Sequence, residues 1–253
     1  MIDSAILQQR QNLSLDEKIK LTLEKIETWY EYWEGNVYVA FSGGKDSLVL
    51  KDLVESLYPD TPSVFVDTRL EYPEIIDTVK YAKHVTWIKP DMVYDKVIER
   101  YGYPIISKNV SMAISRYRNT KLPAQRDYRL HGKWENGKHL TSGTIPKKYQ
   151  YLINAPFKIS EQCCDVMKKK PAKKYHKETG RFPFIGTMAS DSHNRKIYYL
   201  QHGCNIIDAD IPKSQPLGFW MENDIWDYIK ERDLKYSKVY DMGYDRTGCM
   251  YCM

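Results

Sequence analysis

The segment Val37-Tyr-Val-Ala-Phe-Ser42-Gly43-Gly44-Lys45-Asp46-Ser47, running into Leu48-Val-Leu-Lys-Asp-Leu-Val54, leaves few architectures open to this chain. A β-prone apolar run meets two glycines, and an amphipathic helical pattern begins at once, the order of strand, tight loop and helix N-terminus. Glycines tolerate φ > 0 and let the backbone approach a ligand. The unpaired N–H groups and dipole of the new helix favour an anion in the loop. Ser42 and Ser47 add hydroxyl donors, and Lys45 adds a charge suited to phosphate. A plain Gly-Gly turn with solvated Lys45 and Asp46 is the competing interpretation, and the serine on each side weighs against it. The loop fits neither Gly-x4-Gly-Lys-Ser/Thr nor Gly-x-Gly-x-x-Gly.

The flanking pattern predicts how that unit repeats. Residues 14–34 read as an amphipathic helix with a capping box at Ser14 and Glu17. Ser63–Asp67 reads as a short buried strand, Pro73 opens a helix through about Lys83, His84–Ile88 is a third strand, and Met92–Arg100 is helical. Phe182–Gly186 is another strand. Strands alternating with helices predict an α/β fold, a parallel sheet with helices on both faces. Ligands in such sheets sit at the carboxyl ends of the strands, where Ser42 and Asp67 fall. The expected organisation is a helical segment over 1–35 and a nucleotide-binding domain over 36–253.

No run of 18 apolar residues occurs and the first residues lack a signal-peptide pattern, so a cytoplasmic protein without a membrane partner is expected. The net charge of +5 hides an uneven distribution. Residues 108–150 carry ten basic residues against two acidic ones, a net +8 that leaves −3 for the rest. Tyr117, Tyr128, Trp134 and Tyr149 are interleaved with the charges. That composition suits a DNA or RNA surface, with phosphate attraction from the bases and stacking from the rings. It also suits a solvated arm with a hairpin at 132–138, or a site for a small polyanion.

Cys163-Cys164 and, after 84 intervening residues, Cys249-x-x-Cys252 form the second chemical signal. In a reducing compartment such a set points to metal or redox chemistry rather than disulfides. Four thiolates suit tetrahedral zinc or an iron–sulfur cluster, and the spacing does not choose between them. Buried small residues are the bland alternative. Cys204 has no partner in the pattern and reads as packing.

Together these motifs resemble the phosphoadenylyl- and adenylyl-sulfate reductase family, within the PP-loop adenine nucleotide α-hydrolases. Asp67-Thr68-Arg69-Leu70-Glu71-Tyr72-Pro73-Glu74 is similar to the family's Asp-Thr-Gly-x-x-Phe-Pro-Glu, with Arg69 in place of glycine. Gly186, Ser192 and Arg195 fall in register with Gly-x-Arg-x-x-x-Ser-x-x-Arg, but Met188 stands at the first arginine. Pro216-Leu-Gly-Phe-Trp220 and Asp224-Ile-Trp226-Asp-Tyr-Ile229 match a further segment, so the resemblance spans about 36–252. It implies a Rossmann-like fold whose Ser42, Gly43, Gly44, Lys45, Asp46 and Ser47 hold phosphate or sulfate, with Asp67, Thr68, Gly186 and Ser192 also bordering the nucleotide. Cys163, Cys164, Cys249 and Cys252 would hold a [4Fe-4S] cluster, zinc being the alternative. Lys168 and Arg195 would join Lys45 and Asp46 as catalytic groups, Lys168 between cluster and nucleotide.

The resemblance further implies ATP or adenylyl sulfate as ligand, with or without magnesium, an electron donor if the chemistry is reductive, and a homo-oligomer. Reductases of the family use a Glu-Cys-Gly-x-His tail as nucleophile, and no Glu-Cys-Gly occurs in these 253 residues. The fold, nucleotide site and cluster are therefore expected more firmly than sulfate reduction. An ATP pyrophosphatase serving sulfur modification of DNA or RNA is the close rival. A nucleotide-gated nucleic-acid-binding module with structural zinc is the non-enzymatic one.

Overall fold

A computed structural model describes residues 2–133, 137 and 142–251. The chain divides into two compact units. The first holds the chain up to Asp67 together with 71–88 and 174–248; the second holds 68–70, 89–173 and the residues from Cys249 onward.

In chain order the first unit starts with α1 (Ser4–Gln11) and α2 (Leu15–Tyr32), followed by β1 (Val37–Ala40), α3 (Lys45–Leu57), β2 (Ser63–Val66), α4 (Pro73–Tyr81) and β3 (Val85–Ile88). The second unit adds α5 (Tyr94–Tyr101), α6 (Lys108–Asn119) and α7 (Pro123–His131), then a 3-10 turn at Lys147–Asn154 and a π-turn at Asp165–Lys169. That π-turn runs into α8 (Lys170–Thr179). The first unit then resumes with β4 (Phe182–Phe184), α9 (His193–His202), β5 (Asn205–Ile206), β6 (Lys213–Ser214) and α10 (Glu222–Glu231). The predicted elements are present with ends shifted by one or two residues, and α2 starts on its expected box. Ser14 accepts from the Glu17 N–H while the Glu17 carboxylate accepts from the Ser14 N–H at 2.9 Å.

The six strands form one sheet in the order β3-β2-β1-β4-β6-β5, parallel except for the β5–β6 edge. Val39 pairs with Ser63 on one side of β1 and with Phe184 on the other. The strand order therefore reverses at β1, and the crevice for a ligand opens at its carboxyl end. Val37 and Val39 point into the main core with Leu50 and Leu53 of α3, Trp29 of α2 and Ile225 of α10. Tyr38, of opposite pleat, meets Tyr175 of α8 edge-on at 5.1 Å. Helices thus cover both faces.

Two polar ties fasten α2 into this core. Lys18, 2 % exposed, reaches Asp224 of α10 at 2.6 Å. The Trp220 indole N–H donates to the fully buried Thr22 hydroxyl at 2.8 Å.

In the second unit the basic stretch is largely helical. Val110, Ala113 and Ile114 recur at helical spacing and bury against Ile145, Leu152 and Ile159. Arg118 is spent inside: its guanidinium donates to the carbonyls of Leu152, Ile153, Ala155 and Phe157. Arg129 donates to the Gly143 carbonyl at 2.7 Å. Two of the ten bases counted toward a polyanion surface are therefore structural, a role that composition cannot distinguish. Trp134, Glu135 and Lys138, and with them most of the expected hairpin, lie outside the described residues. Among the described residues no helix is long and apolar enough to cross a membrane.

Candidate functional site

The loop after β1 is built to leave donors open. Gly43 turns the chain at φ +74°, and a Cβ there would stand 2.8 Å from Val79 and 2.9 Å from Ile75. Ser47 braces the turn: its hydroxyl donates to the Gly44 carbonyl at 2.9 Å, accepts from the Ser42 N–H at 3.1 Å and lies 3.0 Å from the Ser42 hydroxyl. Gly44 caps α3, and the N–H groups of Asp46 and Ser47 have no acceptor among the described residues. Two open amides at the positive end of a 13-residue helix make an anion cradle. Gly186, just past β4, completes one wall. A Cβ there would lie 2.9 Å from the Asp46 carbonyl oxygen and 3.3 Å from the Ser47 nitrogen, so only glycine fits without displacing the loop.

Lys45 is 4 % exposed. Its ammonium donates to the Asp245 carbonyl at 2.9 Å, pairs with Glu222 at 3.1 Å, and lies 5.2 and 5.9 Å from the ring centres of Tyr240 and Trp226. The side chain expected to meet phosphate thus also anchors the segment that follows α10. Asp46 is held above the usual carboxylate range, first by burial and then by Asp191 and Glu222, against the opposing pull of Lys45 and Arg195. Its buried Oδ1 has no hydrogen-bond partner among the described residues and lies 3.8 Å from the Lys45 ammonium.

The other expected residues of this unit take varied places. Asp67 closes β2, its N–H donating to the Ile88 carbonyl at 2.8 Å. Ser192 caps α9 by accepting from the Arg195 N–H at 3.3 Å, and the exposed Arg195 guanidinium pairs with Asp191. Met188, where the family pattern has arginine, is 3 % exposed and belongs to the main core. Cys204 shares that core, and burial pushes its thiol up to about 11, which makes it a poor nucleophile. Tyr240 and Thr247 were not singled out by the sequence, yet both stand against Gly44. Only the fold brings them there.

In the second unit Cys163, Cys164 and Cys249 line one small cavity whose walls include Leu70, Tyr94 and Tyr251. Cys163 and Cys249 share an apolar cluster with Leu70, Val97 and Met167. The Met250 N–H donates to the Leu70 carbonyl at 2.7 Å, and the buried Thr68 places its hydroxyl 3.9 Å from the Cys249 sulfur. Glu161 also borders the cavity, and its buried Oε2 has no hydrogen-bond partner among the described residues. Lys168 lies on the π-turn that follows the cysteine pair. Cys252 lies outside the described residues. Among the described residues no group of three His, Cys, Asp or Glu stands at metal-ligand spacing. The donor set nevertheless fits a thiophilic centre: soft sulfur ligands converge on one apolar-walled space. Arg69 adopts φ +62° at the position where the resembled pattern carries glycine, the backbone conformation that glycine takes most easily.

A mostly parallel sheet with a glycine-rich loop at its reversal point defines a Rossmann-like fold of the adenine nucleotide α-hydrolase type. The family model described as phosphoadenosine phosphosulfate reductase domain matches residues 36–253. The chain belongs to that family, within the PP-loop superfamily. It is 24% identical over 251 residues to the adenosine 5'-phosphosulfate reductase of Staphylococcus haemolyticus, covering 95% of this chain and 80% of that one. It is 28% identical over 233 residues to an uncharacterised protein of Methanocaldococcus jannaschii, covering 90% of this chain but only 38% of that protein's length. Among solved structures, the phosphoadenylyl-sulfate reductase of Candida auris in its phosphate complex shares the fold, with a TM-score of 0.55 at 16% identity over 100% of this chain and 98% of that one.

Proposed function

We propose that the protein binds an adenine nucleotide or sulfonucleotide on the 42–47 loop and uses it in sulfur or adenylyl chemistry, together with a metal centre held by its cysteines. The observation that carries the reading is the pair of open amides at Asp46 and Ser47, set at the sheet's reversal point and braced by the two serines. Amides there bind the phosphate or sulfate, while Asp67 and Gly186, at the ends of β2 and β4, border the adenosine. Arg195, released from Asp191 or bridging to it, meets anionic oxygens. Cys163, Cys164 and Cys249, with Cys252 as the fourth thiol of the motif, hold a [4Fe-4S] cluster, or zinc in its place. A cluster there supplies electron transfer or electrostatic stabilisation; zinc supplies folding energy.

Calorimetric titration with ATP and with adenylyl sulfate tests the reading. Lys45→Ala is expected to weaken the preferred nucleotide about tenfold or more, the scale of one charge-assisted hydrogen bond. The lysine supplies charge beside the loop and holds the Asp245 segment over it. Equal affinity in mutant and parent would remove the loop from the binding site.

A second reading, ATP pyrophosphatase chemistry on DNA or RNA, draws on the bases left exposed in 108–150. Lys121, Arg126, Lys147 and Lys148 face solvent, and the Arg126 and Lys148 charges lie 5.9 and 4.8 Å from the rings of Tyr117 and Tyr149. Nucleic-acid affinity is then expected to fall steeply with salt, and charge reversal at Lys147 and Lys148 is expected to flatten that slope. A salt-independent interaction, or none, would leave these bases as a solvated face.

A further inference from the structure

The first turn of α3 offers three N–H groups, and the one that is not open is taken in an unusual way. The Lys45 N–H donates to the phenol oxygen of Tyr240 at 2.8 Å, across 195 residues of sequence. The Thr247 hydroxyl stands against the same stretch of the loop. Both hydroxyls press on the loop itself: a Cβ on Gly44 would stand 2.6 Å from the Thr247 Oγ1 and 3.1 Å from the Tyr240 oxygen. The ring is held firmly. Trp226 meets it edge-on at 5.3 Å, the Lys45 ammonium lies 5.2 Å from its centre, and Val239 beside it is fully buried. The Lys45 N–H is the hydrogen-bond partner seen for the Tyr240 hydroxyl among the described residues.

A phenol oxygen that accepts from an amide keeps its own proton to give. Successive N–H groups in the first turn of a helix converge on one anion. An oxyanion seated on the Asp46 and Ser47 amides therefore sits beside the hydroxyl that occupies the neighbouring Lys45 amide. We propose that Tyr240 is an anion-binding residue of this site: its hydroxyl, held by the Lys45 N–H, donates its proton to the phosphate or sulfate of the bound nucleotide. Thr247, whose hydroxyl stands against the same Gly44, flanks that donor. The assignment rests on reading the 42–47 loop as the nucleotide's anion site. It extends that site onto the segment after α10, which Lys45 already ties down through the Asp245 carbonyl. A neutral phenol adds a donor without adding charge, so the site gains hydrogen-bond specificity for tetrahedral oxyanions.

The test is calorimetry of ATP and of inorganic pyrophosphate against the parent, Tyr240→Phe, Thr247→Val and a chain carrying 3-fluorotyrosine at 240. Tyr240→Phe keeps the ring and its packing and is expected to weaken both ligands about tenfold, with the ligand-free melting midpoint little changed. Thr247→Val should weaken them less. Fluorotyrosine, the stronger donor, should tighten them, an effect that a purely structural phenol would not produce. Unchanged affinity in Tyr240→Phe overturns the proposal, and tighter binding overturns it too, since the phenol would then be an obstacle to the anion. A parent that binds neither ligand overturns the reading of the loop itself, whatever the variants do.

Discussion

Cys249→Ser purified without oxygen is expected to retain well under half of the metal held by the parent, and to unfold at lower denaturant. Serine keeps the size of the side chain but replaces a thiolate by a hydroxyl that stays protonated at neutral pH, a poor ligand for iron or zinc. The position is not a loose end. Cys249 packs against the cluster of Leu70, Val97, Cys163 and Met167, and the next residue donates from its backbone to the Leu70 carbonyl. Metal binding there is coupled to holding these segments together, so loss of metal and loss of stability should appear together. Elemental and sulfide analysis of parent and mutant provides the check, and the visible spectrum distinguishes iron–sulfur from zinc. Equal metal in the two proteins would leave Cys249 a packing residue.

Lys18→Ala is expected to cost about 3–5 kcal/mol of stability, because it strands a carboxylate at a half-hidden position. Asp224 is 14 % exposed in its side chain and accepts two short bonds from the Lys18 ammonium, at 2.6 and 2.7 Å. It also accepts from the Met221 N–H at the start of α10, so a shift of the carboxylate disturbs that helix end as well. The double variant Lys18→Met with Asp224→Leu should recover most of the loss, since replacing both partners removes the unpaired charge. Urea unfolding of the single and double variants measures this. A single variant as stable as the parent would show that the pair contributes little to the attachment of α2.

The features legible in the sequence were local ones. The Ser14–Glu17 box, the glycine pair after β1 and the proline opening α4 each fix backbone over a few residues, and each lies where its chemistry put it. Three of the four motif cysteines could be followed to a common cavity, because adjacent residues and a Cys-x-x-Cys start close together. What was not legible depends on partners far apart in the chain. Lys18 and Asp224 are 206 positions apart, and nothing near either lysine or aspartate announces the pair. Tyr240 reads as one more aromatic on the way to Cys249 until the fold sets it on the Lys45 amide. The short α1 was missed because it shows no clear amphipathic stripe, its one buried residue being Leu7. The basic stretch is ambiguous for a different reason. A guanidinium serving four backbone carbonyls, as Arg118 does, has the same letter as one waiting for phosphate.

The π-turn at Asp165–Lys169 gives the residues that follow the cysteine pair, Lys168 among them, an adjustable setting. A π-turn spends one residue more than an α-turn over the same ground. Removing a single residue between 165 and 169 would let the segment relax to ordinary winding, with Cys163 and Cys164 keeping about the same bearing on the start of α8, because the wide turn had absorbed the extra residue. Side chains within the turn, Lys168 included, would be the ones re-aimed, while the cysteine pair and the composition of the cavity stayed almost the same. Spacing between the cysteine pair and Pro171 is thus a steering parameter. A homologue with one residue fewer there would keep the cysteine pair in place and aim the residues of the turn elsewhere.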